Sequence, residues 1–158
     1  MAATEPRTTR SRRQFARGIF GTALGLVLAG RLRADRGADV LRVLNQVANA
    51  LDDGSATEAL APFDKSMPGY RQLEDYFIAL TSEVSAHSDI DLVEEKDSET
   101  ESEVVVRWIL DLRDKVSNEG IDRRTKEVHV RLAPVKDKPE ELRIVALEPI
   151  DLFNPVAS

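Results

Sequence analysis

The amino-acid sequence predicts an α+β domain in which N-terminal helices pack on one face of a four-stranded antiparallel sheet. Three observations carry this reading. Apolar residues recur at three- and four-residue spacing as far as Val84, the period changes to two after Ser88, and short polar connectors separate the later runs. The chain has 158 residues, 42% hydrophobic and 32% charged, enough for one domain with a real core. That balance excludes wholesale disorder and a multi-span membrane protein. The absence of cysteine excludes disulfides, thiol nucleophiles and thiolate metal sites, and two histidines, His87 and His129, make a His-built metal site unexpected.

The first helix is marked by Val40, Leu41, Val43, Leu44, Val47, Ala48 and Leu51, and Asp52-Asp53-Gly54 stops it. Ser55 with Glu58 three residues on has capping-box spacing and predicts a short helix to about Ala61. Pro62 and Met67-Pro68-Gly69 break the chain. Leu73, Tyr76, Phe77, Leu80 and Val84 then mark a long helix over 69–86, with Arg71, Glu74, Asp75 and Glu83 on its wet side.

The clearest strand is Glu103 to Arg113. Val104, Val106, Trp108, Leu110 and Leu112 form one apolar face, and the odd-numbered residues form the other. Val128, Val130 and Leu132 alternate with Glu127, His129 and Arg131 in the same way. Ile90 and Leu92 lie between acids, and Leu142, Ile144 and Ala146 begin a last strand whose parity places Glu148 on the apolar side. The connectors, 96–102, 114–122 and 134–140, have hairpin length and predict a meander.

The charge is divided unevenly. Residues 1–36 hold eight Arg against Glu5 and Asp35, a net of +6, and the rest of the chain carries −12. An acidic body of this kind predicts no nucleic-acid binding, because neutralising phosphates needs a basic surface. The thirteen uncharged residues from Gly18 to Gly30 are short of the roughly 20 that a spanning helix needs and fit the apolar region of an export signal. Ser11-Arg12-Arg13-Gln14-Phe15-Ala16-Arg17 resembles the twin-arginine signal, with Ala16 and Arg17 in place of the usual leucine and lysine. The resemblance implies a signal segment over 1–36, with Arg12, Arg13 and Phe15 read by the twin-arginine export machinery. It implies a periplasmic or extracellular domain over 37–158. No clean small-x-small cleavage site follows, which leaves retention as an inner-membrane anchor open.

Helices followed by an antiparallel sheet with one apolar face resemble the nuclear transport factor 2-like superfamily over residues 38 to 153, in element order and in no diagnostic motif. A cystatin-like sheet gripping one long helix is the nearest other arrangement. The resemblance implies a curved sheet and a cone-shaped interior. Ligands sit there between the helices and the sheet, and the superfamily's enzymes place carboxylates, Tyr or His inside it. The corresponding ligand pocket here is Tyr76, Phe77, Leu80, Val106, Trp108, Val130, Ile144 and Glu148.

Most candidate residues have an ordinary structural reading beside the functional one. Glu148 is a base with a raised pKa if enclosed, or a solvated strand end beside Pro149. Tyr76 is an oxyanion donor, or a core Tyr with its hydroxyl at the edge. Trp108 is the floor of an apolar site, or a core aromatic. Asp64 and Tyr70 lie in a connecting loop, His129 points away from the apolar face by parity, and His87 follows the long helix where its dipole would favour a cation. The acids Asp89, Asp91, Glu94, Glu95, Asp97, Glu99, Glu101 and Glu103 lack EF-hand spacing and its turn glycine, so no metal is expected. On the outer sheet face Val105, Ile109, Val145 and Leu147 mark either a homodimer surface or a floor for the segment Leu152-Phe153.

Together these features predict an exported, non-catalytic binding or assembly domain that needs no cofactor and holds, if anything small, an apolar ligand. The alternative is an isomerase, cyclase or hydratase with Glu148 as base and Tyr76 as oxyanion donor. Replacing Arg12 and Arg13 together by Lys should strand the protein in the cytoplasm, as fractionation of cells expressing the full chain would show; unchanged export would refute the signal assignment.

Overall fold

The computed structural model describes residues 36–155, and the predicted export segment, with Arg12, Arg13 and Phe15, lies outside them. Helix α1 covers 36–52, α2 Ala56–Leu60 and α3 Tyr70–Glu83. Four strands follow, β1 Val84–Asp97, β2 Ser102–Asp114, β3 Gly120–Val135 and β4 Lys138–Glu148, and a 3-10 turn spans Ile150–Phe153. The sheet is an antiparallel meander in the order β1-β2-β3-β4. Three helices, rather than one long one, accompany the sheet. Among the described residues no helix is long and apolar enough to cross a membrane.

The helix ends follow local chemistry. Ser55 N–H donates to the Ala50 carbonyl and Gly54 N–H to that of Leu51, the paired bonds of a Schellman stop, with Gly54 at φ 77° where only glycine is unstrained. The Ser55 hydroxyl then accepts from Glu58 N–H at 3.2 Å and caps α2. Helix α3 ends at Glu83, earlier than expected, because Val84 is already extended and begins β1 with no loop between. His87 therefore lies in the strand, opposite Asp111, with Asp52 at 3.6 Å and Asp89 at 3.9 Å. The cation at the end of α3 is Lys115, whose Nζ donates to the Thr81 carbonyl from the β2–β3 hairpin.

The parity predicted for β2 is observed. Val104, Val106, Trp108, Leu110 and Leu112 are all buried, and their partners Val128 and Val130 join them on the inner face. The last strand departs from prediction. Leu132 pairs with Ile144, but Arg131 pairs with Ala146 and Val130 with Leu147, so Val145 is an extra residue in a bulge. One added residue exchanges the faces of everything after it. Leu147 turns into the core, and Ala146 and Glu148 turn to the outer face with Arg131 and His129. A second bulge in β1 skips Val93 and leaves Glu94 opposite Val105.

The loop before α3 is tied to the free edge of β4. Asp64 N–H donates to the Ile144 carbonyl and Ile144 N–H to that of Pro62, both at 2.8 Å, and Phe63 forms a parallel bridge with Ile144. The Ser66 hydroxyl and backbone N–H both donate to the Asp64 carboxylate, which lowers its pKa, with a smaller contribution from Arg143.

The bulge makes a direct contrast. Leu147→Ala should cost about 2–5 kcal/mol in urea unfolding, whereas Glu148→Ala should stay within about 0.5 kcal/mol; reversed magnitudes would restore the unbulged register. The native Asp64 carboxyl binds a proton less readily than the unfolded one. Its stabilisation is present above the ordinary carboxylate pKa and lost as pH falls below about 4. The urea midpoint of the parent should exceed that of Asp64→Asn at neutral pH and converge with it in acid, and a gap independent of pH would contradict this.

Candidate functional site

The predicted pocket is occupied by the protein itself. Phe77, Leu80, Val106, Trp108, Val130 and Ile144 do come together, but as solid core, none more than 1% exposed. The material that fills the space is the segment after β4. Phe153 stands between Phe77 and Trp108 with ring centroids 5.1 Å from each, nearly perpendicular to both, and Phe63 meets Phe77 at 5.8 Å. Edge-to-face contacts at these distances leave no room for a further ring between them. Leu152-Phe153 thus packs on the inner face, and its place on the outer face, one of the two sequence expectations, is corrected.

The other two predicted pocket residues are elsewhere. Glu148 is exposed on the outer face, corrected from the apolar face by the bulge at Val145. Tyr76 is half-buried on α3, and its hydroxyl accepts from Gln72 Nε2 at 2.7 Å. A base and an oxyanion donor on these two residues would not share a cavity, since Tyr76 is not among the residues that line the cleft beside Glu148. Tyr70, packed against the core, has its pKa raised by burial, with a smaller effect of Glu74, and stays protonated at neutral pH.

A cleft of about 580 Å³ opens on the outer sheet face. One row across the four strands is Glu94, Val105, His129 and Glu148, and the next is Lys96, Glu103, Arg131 and Ala146. Pro68 borders it, and Arg131 lies 3.9 Å from Glu101 beside it. The first row sets two glutamates about an imidazole and Val105, and the second mixes both signs, Lys96 and Arg131 with Glu103. Among the described residues, no three His, Asp or Glu side chains converge as a metal site would require.

Sequence reasoning missed Arg124. Its even number puts it on the inner face, opposite Leu110, and it is largely buried. Its Nε donates to Asp122 at 2.8 Å, and its Nη1 donates to the carbonyls of Leu152 and Asn154, fastening the segment that fills the interior. A charge at an inward position was the available signal, since a buried guanidinium must find partners. Two donors here are buried and unpartnered among the described residues, Arg124 Nη2 and Trp108 Nε1. Each such group costs about 1–3 kcal/mol.

No protein-family model matches the chain, and no curated protein matches its sequence. Solved structures do match its backbone. A conserved protein from Planctomyces limnophilus superposes with a TM-score of 0.62 at 9% identity, over 73% of this chain and 94% of the other. A nuclear transport factor 2-like superfamily protein from Salmonella enterica gives 0.58 at 11%, over 73% and 89%. A ketosteroid isomerase-like protein from Erwinia carotovora gives 0.54 at 10%, over 70% and 91%. At such identities the likeness is one of fold, and the fold of the described residues is the nuclear transport factor 2-like one.

Proposed function

We propose that this chain is an exported binding or assembly domain, non-catalytic, whose working surface is the outer face of its sheet. The observation that carries the reading is Phe153. It takes up the interior where a small apolar ligand would sit, while the open cleft lies on the opposite face. The separation of Glu148 from Tyr76 speaks against the isomerase, cyclase or hydratase alternative that relied on both.

The first partner is a second copy of this chain. Asp91, Arg107 and Glu127 form one row of the outer face and Lys96, Glu103 and Arg131 another, so both signs recur along it. A face of alternating sign complements itself when turned about a twofold axis. Val105 and Ile109, half-buried between these charges, supply the apolar centre. Removal of Leu147 to the core makes that centre smaller than the sequence suggested, which fits a modest interface. The further partner is the twin-arginine export machinery, acting through the segment around Arg12 and Arg13, and it would deliver the domain to the periplasm or the exterior. Uncleaved, the same segment would hold it at the inner membrane.

Sedimentation of the domain should give a dimer at micromolar concentration. Val105→Lys combined with Ile109→Lys should give a monomer with an unchanged unfolding midpoint. A parent protein that sediments as a monomer would overturn the dimer, and a lysine variant that remains dimeric would move the interface to another face.

A further inference from the structure

On the helical layer a groove of about 740 Å³ runs along α1 beside α2. Arg42, Asn45, Gln46, Asn49 and Asp53 line it from the side of α1, and Glu58 lines it from α2. The spacing 42, 45, 46, 49, 53 is that of one helix face, opposite the buried Val40, Leu44, Val47 and Leu51. Asp53 keeps its place on that face because its N–H still donates to the Asn49 carbonyl, at 2.9 Å. Glu58 stands in the first turn of α2, whose start the Ser55 cap fixes.

The residues on this face serve a helix poorly and a ligand well. Asn is a weak helix former, because its short amide competes for nearby backbone groups, yet Asn45 and Asn49 occupy exposed mid-helix positions. Among the described residues neither amide has a hydrogen-bond partner. The two are one turn apart, about 6 Å along the axis. In an extended peptide every second residue turns its N–H and C=O to the same side, at a repeat of about 6.6 Å. An Asn side chain, donor and acceptor together, pairs with a residue so turned. The charges repeat the match at longer range. Arg42, largely exposed with Asp39 at 3.0 Å, lies toward the start of the face, Asp53 lies at its end, and Glu58 adds a second carboxylate from α2. From 42 to 53 the helix rises about 16 Å, the length of roughly five extended residues.

We propose that the groove along α1 and α2 binds an extended peptide of about five residues, basic at one end and acidic at the other. Asn45 and Asn49 hold alternate residues of its backbone. Arg42 takes the carboxylate end, and Asp53 with Glu58 takes the basic end. Ala50 and Ala61, which complete the lining, are short and leave room for the peptide's own side chains. The groove is built on the helices, so it stands or falls independently of association through the outer sheet face.

The probe is a synthetic pentapeptide with blocked ends, lysine first, threonine at the three central positions and glutamate last. Titrated into the full-length protein, it should shift the side-chain amide NMR signals of Asn45 and Asn49 saturably. Asn45→Ala and Asn49→Ala should each weaken binding about fivefold, the worth of one hydrogen bond. Both should also raise the unfolding midpoint, because alanine is the better helix former. A merely structural role for these residues would lower stability and binding together. Arg42→Glu should bind the first peptide less well than one with lysine at both ends, reversing the preference of the parent. If millimolar peptide leaves the Asn45 and Asn49 signals of the parent in place, the proposal fails. It fails equally if the alanine variants bind as the parent does, or if Arg42→Glu keeps the parent's preference.

Discussion

The structure depends on one chain of aromatic contacts, Phe63 to Phe77 to Phe153 to Trp108, running from the loop before α3, through that helix, to the segment after β4 and onto the sheet. Each ring comes from a different part of the sequence, so the chain of contacts closes the domain around its centre. Each edge-to-face pair adds about 0.5–1.5 kcal/mol beyond the burial of its area. More consequential is the space it consumes. A curved sheet with helices on one face encloses a volume that must be filled by side chains, water or a ligand, because an apolar void loses its contacts without compensation. Here the filling comes from Phe153, which closes the interior between Phe77 and Trp108.

Arg124 shows how the filling is kept in place. A guanidinium on an apolar face is costly unless its donors are satisfied. It pairs with Asp122 two residues earlier and with carbonyls of the segment it secures. The polar group and the aromatic one therefore stabilise the same local arrangement. Among the described residues, unpartnered buried donors remain on Arg124 and Trp108, and the buried hydroxyls of Ser88 and Ser102 lack partners elsewhere on the sheet.

The acidic stretch from Asp89 to Asp97 has a structural role that needs no cation. Strand β1 is an edge of the sheet, fourteen residues long, and an edge of that length invites pairing with another chain. Five acids along it and the bulge at Val93 oppose such pairing through like-charge repulsion and broken register. The other edge, β4, is covered near Ile144 by the backbone around Phe63, an element without a periodic signature in the sequence.

What could be read from the chain alone was whatever the backbone repeats. Helical spacing over Val40 to Leu51, the Ser55 cap, the Gly54 stop and the alternation from Glu103 to Arg113 are all local, because side-chain direction within a helix or strand follows from its period. Three outcomes needed the tertiary structure. The bulge at Val145 inserts a residue without any compositional mark, and it alone exchanged the faces of Leu147 and Glu148. Leu152-Phe153 is apolar in either location, and only the shape of the interior decided that it belongs within. Arg124 is one basic residue among many in the sequence, and its role follows from carbonyls 28 and 30 residues away that the folded chain brings to it. Periodicity reports which way a side chain points, and it is silent about what the chain later lays against it.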